Sequence, residues 1–435
     1  MNNFNIHFLN RMKAILGGEY DDFLTSLSLP DEKAIYVNQH KISVDSFKNI
    51  VDFKLEQIPY ESAGFYVDSN KKGRHVLHHA GAFYMQEPSA MFTVNAHQFK
   101  GDELVLDMCA APGGKSIQIA NRIPNGTLVS NEFNSSRSQI LFSNIERMGL
   151  SNVIITNESS ENLAKAYANT FDVCLVDAPC SGEGMFRRGD DVIKEWNVNL
   201  PAMCANRQLD ILKNADKVLK QYGILIYSTC TYSLEENEEV VQRFMTEYNY
   251  ELVNINYPLP RGINMSEAVR LYPHKVRGEG QFVAVLKKLS VNEDFSSKHI
   301  RLQQDKTAQN WLAEHTSINK NVMEWDKFSY IVPNESLIMR NIKYVSLGVR
   351  AFERVGKRVE PCHNLFSAFG KDFKNRICLN WQDDIVLNYL KGETFEVDNI
   401  NGYASLIVNS CSVGGVKVSN GIAKIHYPKG LRNFK

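Results

Sequence analysis

The sequence predicts an α/β protein built on a parallel β-sheet with helices on both faces. From Gly101 onward, short apolar runs alternate with helical stretches, the pattern of strand–helix–strand units. Asp107, Glu132, Asp177, Cys180 and Cys230 all fall just beyond the ends of these runs, at the sheet edge where such folds bind ligands. The composition, 43% hydrophobic and 23% charged over 435 residues, is that of a globular chain of two or three domains.

Residues 1–24 place Phe4, Phe8, Met12, Ile15, Leu16, Phe23 and Leu24 at helical spacing. Ala34–Val37 reads as a strand and Ser46–Ile50 as the start of a short helix. Residues 60–92 carry further strand-like runs with aromatics at Phe65, Tyr66, Phe83 and Tyr84, so residues 1–100 form a small α/β module. The main domain spans 101–289. Its strands are Leu104–Asp107, Thr127–Asn131, Val153–Thr156, Asp172–Val176 and Gly223–Ser228, with helices over Ser135–Met148 and Asn206–Lys220. A polar stretch, SVNEDFSSKHIRLQQDKT, then reads as a linker into a small β-containing module over 290–384. Turn signals at Asn401-Gly402, Gly414-Gly415 and Asn420-Gly421 mark a further, mostly β module over 385–435.

Formal net charge is zero, with 49 basic and 49 acidic residues, but residues 290–435 carry 20 basic against 15 acidic. The stretch Lys417–Lys435 has five basic and no acidic side chains, which is compatible with nucleic acid. The eight cysteines lack CxxC pairing and the histidines lack ligand spacing, so no disulfide framework or metal site is expected. No apolar run approaches the roughly 18 residues of a membrane span. The start MNNFNIHFLN has no signal-peptide pattern, so a cytoplasmic protein is expected.

LVLDMCAAPGGKS, Leu104–Ser116, is a strand, a turn of small residues, and a helix start. Cys109 stands where a phosphate-binding loop needs glycine, and the GxGxxG spacing is absent. Exposed N–H groups at such a helix start suit a carboxylate. Glu132, ending the next strand, is placed to hold both hydroxyls of a ribose. A ligand with ribose, adenine and an amino-acid carboxylate fits, and that is S-adenosylmethionine.

DAPC, Asp177–Cys180, occupies the place where an amino-methylating enzyme of this architecture carries an aromatic to stack on its base. A cysteine cannot stack, so a different chemistry is implied. STCT, Ser228–Thr231, follows an apolar strand and precedes Ser233-Leu234-Glu235-Glu236, a capping box that opens a helix. C5 of a pyrimidine is too weak a nucleophile to attack a methyl sulfonium. A thiolate adding to C6 turns the ring into an enamine whose C5 can take a methyl group. Asp177 would stabilise the charge developing at N3.

DMCAAPGGK, DAPCSGEG and STCTYSLEENE together resemble the RNA 5-methylcytosine methyltransferases of the Nop/Sun family, in its bacterial RsmF-type branch. The resemblance implies a Rossmann-like class I S-adenosylmethionine-dependent methyltransferase core with a small N-terminal α/β module and a C-terminal mostly-β PUA-like RNA-binding module. YMQEPSAM, RLYPHKVRGEGQFVAVLKK and, in the last module, YLKGE and HYPKGL extend it. It implies Cys230 as the nucleophile and Cys180 as the aid to product release. Cofactor contacts carry over to Cys109, Ala110, Ala111, Pro112, Gly113, Gly114, Lys115, Glu132 and Asp177. The expected reaction is 5-methylcytidine formation in small-subunit (16S) ribosomal RNA by a monomeric enzyme, with phosphate contacts from the basic module.

Two departures stand out. After the third strand the family often has Asp near the adenine; here Ser159 is the counterpart by spacing. Tyr36 stands where the N-terminal module usually carries Arg. The same chemistry on tRNA is the alternative within the class, and a non-catalytic RNA-binding assembly factor the alternative outside it. Intact Cys230, Cys180 and Asp177 argue against the latter. Arg187 and Arg188 are candidates for RNA phosphate contacts, whereas His78-His79, Trp311, Trp325 and Trp381 read as packing residues.

Overall fold

The computed structural model describes residues 4–68, 70–291 and 298–432. Residues 292–297 of the expected linker, and the last three residues of the basic tail, lie outside the described residues.

The first helical stretch is two helices, α1 (Ile6–Leu16) and α2 (Tyr20–Leu27), separated by a single turn at Gly17–Glu19. Two adjacent glycines break the helical run there. There follow β1 (Ala34–Val37), α3 (Val44–Ile50), β2 (Glu56–Gln57), β3 (Gly64–Tyr66), α4 (Val76–His79), β4 (Phe83–Met85) and α5 (Pro88–Asn95). Ser43 caps α3 by accepting from the Ser46 N–H. The strands form a four-stranded sheet in the order β2-β3-β1-β4.

The central region contains β5 (Leu104–Asp107), α6 (Gly114–Arg122), β6 (Thr127–Asn131), α7 (Ser135–Met148), β7 (Val153–Thr156), α8 (Ser160–Ala166) and β8 (Phe171–Asp177). It continues with α9 (Asp190–Glu195), α10 (Leu200–Val218), β9 (Leu219–Thr229), α11 (Glu238–Glu247), β10 (Tyr250–Val253), β11 (Arg261–Gly262), β12 (Met265–Leu271) and β13 (Gln281–Lys288). Strands β7, β6, β5, β8 and β9 lie side by side and parallel. Their carboxyl ends therefore share one edge. Val105, Leu106, Leu128, Val129, Ile154, Leu175, Val176, Leu225 and Ile226 are all buried, as expected of strands covered on both faces.

Beyond Leu289 lie β14 (Gln303–Gln304), α12 (Lys306–His315), β15 (Met323–Trp325), β16 (Phe328–Ile331), β17 (Tyr344–Ser346), β18 (Val349–Val355) and β19 (Arg358–Pro361). Strands β14, β15, β16, β18 and β19 make a five-stranded sheet, but β17 pairs antiparallel with β7 and extends the central sheet. Then come α13 (His363–Phe369), β20 (Arg376–Leu379), α14 (Asp384–Lys391), β21 (Phe395–Glu396), β22 (Gly402–Val408), β23 (Cys411–Ser419) and β24 (Ile422–Ile425). The last sheet runs β20-β22-β23-β24-β21, drawing its first strand from ahead of residue 385.

The N-terminal helices reach the central domain through an aromatic cluster. Phe8, Phe23, Phe186, Trp196, Tyr232 and Tyr272 pack together, with the Phe8 and Phe186 rings edge to face at 5.0 Å. Arg11 pairs with fully buried Glu183, which also accepts from Trp196 Nε1 at 2.9 Å. This packing fixes the loop that follows Cys180. Among the described residues, no helix is long and apolar enough to cross a membrane.

Candidate active site

Strand β5 ends at Asp107, and the chain turns through Met108–Gly113 into α6. Gly113 holds φ +116°, where a Cβ would also meet Leu141 Cδ1 at 3.0 Å, so the turn needs glycine there. No side chain caps α6, so its first N–H groups lack a side-chain acceptor, and Gly114 and Lys115 of its first turn line a cleft. Asp107 is 1% exposed. Its Oδ2 accepts from Ser116 Oγ at 2.6 Å, while Oδ1 is buried without a hydrogen-bond partner. Burial pushes its carboxyl up to about 7, against the Ser116 hydrogen bond.

A cleft of about 240 Å³ lies against this turn. Cys109, Ala110, Ala111, Pro112, Gly114, Lys115 and Asp177 line one side, and Tyr84–Glu87 with Ala90 of the N-terminal module line the other. Gly113, Glu132 and Ser159 do not line it. Glu132 follows β6, is 5% exposed, and accepts from the Asn134 N–H at 2.8 Å. Arg137 Nη1 stands 3.6 Å from Glu132 Oε2, while Nη2 donates to the Ala111 carbonyl at 2.6 Å. Ser159 is the N-cap of α8, its hydroxyl accepting from the Asn162 N–H at 3.2 Å. The thiol of Cys109 is pushed up by burial and then by Asp107, so it stays protonated.

At the same edge, Cys180 Sγ and Cys230 Sγ lie 3.3 Å apart, both thiols half-buried. Parallel pairing of β8 with β9 sets Asp177 opposite Ser228, whose Oγ donates to Asp177 Oδ1 at 2.7 Å. Lys115 Nζ donates to Asp177 Oδ2 at 2.8 Å and Gln281 Nε2 approaches Oδ1 at 3.4 Å. Burial opposes the charge of Lys115, but Asp177 outweighs it and holds the ammonium above its ordinary range. Contact with the Cys230 thiol, and then burial, holds the Cys180 thiol well above its ordinary value. One corner thus gathers two thiols, a carboxylate and an ammonium.

Residues 94–287 match the family described as 16S rRNA methyltransferase RsmB/F. Residues 4–88 match the N-terminal domain of 16S rRNA methyltransferase RsmF, and residues 377–433 the methyltransferase RsmF PUA domain. The ribosomal RNA small subunit methyltransferase F of Vibrio vulnificus strain YJ016 is 33% identical over 383 residues, covering 82% of this chain and 80% of its own. The chain belongs to the RsmF family.

The RsmF protein of Aliivibrio salmonicida is 36% identical over 286 residues, covering 62% of this chain and 60% of that relative. A methyltransferase homologue from Pyrococcus horikoshii has a TM-score of 0.58 at 30% identity, covering 66% of this chain and 96% of its own. NSun6 from Pyrococcus horikoshii, solved with SFG, has a TM-score of 0.59 at 22% identity, covering 66% and 99%; at that identity the likeness shows the fold.

Family and fold make S-adenosylmethionine the cofactor, and the residues fit it. An uncapped helix start suits a carboxylate, the orphaned buried Asp107 Oδ1 suits an amine, and Glu132 beyond the next strand suits a diol. Asp107 was legible in the sequence only as a strand-end acid. Ser228 and Gln281 were not legible as partners of Asp177, since their roles depend on strand register. In this member of the RsmF family Arg187 donates to the carbonyls of Leu29, Pro30 and Gly278, so it ties segments together and is not free to meet phosphate. Arg188 lines the cleft, 3.7 Å from Glu279. His78 and His79 are held neutral by burial. Trp381 donates to the Ile50 carbonyl at 2.9 Å, Trp311 stacks on His315, and Trp325 packs edge-on to Tyr344, all packing roles. Tyr36 is fully buried, so its ring lies away from any RNA surface. The capping box is also only half formed. The Glu236 N–H donates to Ser233 Oγ at 3.3 Å, but α11 starts at Glu238 and the Glu236 carboxylate turns inward.

Proposed function

We propose that the protein transfers a methyl group from S-adenosylmethionine to C5 of a cytidine in small-subunit (16S) ribosomal RNA, through a covalent bond between Cys230 and C6. The observation that carries this reading is the 3.3 Å approach of Cys180 to Cys230, on the two loops that follow the Asp177–Ser228 pair. An amino-methylating site has no use for two thiols in contact; addition to a pyrimidine C6 followed by elimination does.

The cofactor would be held by Cys109–Lys115, Asp107, Glu132 and Asp177, and when bound it supplies an electrophilic methyl group. The remaining work falls to the chain's own residues. The Cys180 thiol stands in hydrogen-bond contact with Cys230, with either sulfur able to donate, and Cys230 would be the sulfur that adds to C6. Asp177, braced by Lys115 and Ser228, would accept from the exocyclic amine of the ring and, carrying a proton, donate to N3 as negative charge develops there. Once C5 carries the methyl group, water takes the C5 proton as the C6–Cys230 bond breaks, and the aromatic ring is restored. Cys180 would aid that release by protonating the departing sulfur.

The N-terminal module (1–100) walls the cofactor cleft, the catalytic domain spans 101–289, and the modules over 290–384 and 385–435 would position RNA. Lys417, Lys424, Lys429 and Arg432 supply the positive charge on the last module that phosphate contacts require. Bisulfite sequencing of 16S rRNA and tRNA incubated with protein and cofactor tests the proposal. A cytidine of 16S rRNA should become resistant to conversion. A resistant cytidine in tRNA alone would move the assignment to tRNA, and none in either would favour the assembly factor.

A further inference from the structure

Glu236 lies six residues beyond Cys230 and is fully buried, yet the chemistry above leaves it without a role. Its Oε2 accepts from the Ser181 N–H at 2.9 Å and from Gln208 Nε2 at 2.9 Å, and its Oε1 accepts from Ser181 Oγ. The same Gln208 Nε2 donates to the Pro179 carbonyl at 3.1 Å. Both residues flanking Cys180 are therefore gripped by one carboxylate, Ser181 directly and Pro179 through Gln208. The grip continues to the other thiol. Ser181 Oγ is 2.8 Å from Thr231 Oγ1, on the residue that follows Cys230. Tyr227 OH anchors the far side by donating to the Glu236 carbonyl at 2.5 Å.

A carboxylate is suited to this place because it only accepts, and every side-chain contact it makes here is with a donor. Burial pushes its carboxyl up to about 7, and the Ser181 hydrogen bonds work against that. Burying such a group is costly unless its hydrogen bonds are made. A helix cap at the surface would have satisfied it more simply, so its inward turn needs a reason.

We propose that Glu236 is a positioning residue that locks the Cys180 loop to the Cys230 loop and so sets the thiol–thiol approach on which release of the methylated product depends. The inference rests on the reading of the two thiols given under the proposed function. Without Glu236 the Ser181 N–H and hydroxyl and Gln208 Nε2 lose their shared acceptor, the remaining bonds to Pro179 and Thr231 hold the segment less firmly, and Cys180 drifts from Cys230. Addition to C6 needs only Cys230 and continues. Elimination needs both sulfurs in contact and fails.

The test uses the full chain with 16S rRNA and S-adenosylmethionine, and compares Glu236→Ala with Glu236→Gln and Cys180→Ala. In Glu236→Ala, single-turnover methyl transfer should stay within about threefold of wild type while steady-state turnover falls about tenfold or more. A protein–RNA adduct that survives denaturing electrophoresis should accumulate, as it should in Cys180→Ala. Glu236→Gln should restore turnover, because its carbonyl can face the Ser181 N–H and Gln208 while its amide faces the rotatable Ser181 hydroxyl. A merely structural role would lower both rates by one factor, without adduct. That result, or two unchanged rates, overturns the proposal. If Glu236→Ala fails to fold, Ser181→Ala carries the test, since it removes the bridge to Thr231 and should accumulate adduct; none overturns the proposal. Adduct in Cys180→Ala but not in Glu236→Ala refutes the role of Glu236 alone. No adduct in Cys180→Ala refutes the thiol reading and this inference with it.

Discussion

The thiol of Cys180 faces that of Cys230 at 3.3 Å, although 50 residues separate them in the chain. Parallel pairing of β8 with β9 brings the two segments to one edge, and the loops beyond the strands turn the sulfurs inward. If Cys230 is the attacking sulfur, Cys230→Ala should lower methyl transfer by about a thousandfold or more, with cofactor affinity unchanged. Cys230→Ser should fare little better, because a hydroxyl is a far weaker nucleophile at C6. Methyl incorporation and cofactor titration on the same preparations check both.

Asp177 ties the cofactor side of the site to the thiol side by accepting from Lys115 and from Ser228. Asp177→Asn keeps the shape but places an amide N–H among donors and removes the charge that holds Lys115. The turnover number for RNA should fall by about a hundredfold or more, with a smaller change in KM. An equal loss through KM alone would mean that Asp177 serves binding only.

Buried Asp107 makes stability depend on pH in a definite direction. Its carboxyl is raised from 3.8 to about 7 in the folded protein by burial. The stabilisation this gives is complete below the unfolded value and is lost as pH rises through the folded one. Asp107→Asn has no charge to bury. In cofactor-free protein, the denaturation free energy of wild type should therefore fall relative to Asp107→Asn between pH 4 and pH 8, by on the order of a few kcal/mol. A difference that stays flat across this range contradicts the assignment.

Glu132 and Ser159 should separate by role. Ser159→Ala removes the N-cap of α8 and should cost about 1 kcal/mol of stability, with cofactor affinity unchanged. Glu132→Ala should weaken cofactor binding about tenfold or more, as expected for a lost pair of hydrogen bonds to a diol. Calorimetric binding and thermal unfolding of the two variants distinguish these outcomes.

The sequence made the strand ends legible because each parallel strand is an apolar run that stops at a polar residue. Asp107, Glu132, Asp177 and Cys230 could be placed from that alone. Three features could not be. Strand β17 is three residues long and carries no periodic signal, and it exists only because β7 offers an unpaired edge. Arg187 looked free to meet phosphate until the fold brought the carbonyls of Leu29, Pro30 and Gly278 around it. Glu236 had the spacing of a local cap, but a buried Ser181 N–H, distant in sequence, competes for the same carboxylate and wins.

The central claim is that Cys230 bonds to the base and Cys180 releases it. Denaturing electrophoresis of protein incubated with labelled 16S rRNA and S-adenosylmethionine tests it most directly. Cys180→Ala should hold the RNA in a band that resists denaturant and disappears on nuclease treatment. The double variant Cys180→Ala/Cys230→Ala should hold none. A denaturant-resistant band that persists when Cys230 is absent, or no band in Cys180→Ala under turnover conditions, would contradict the account.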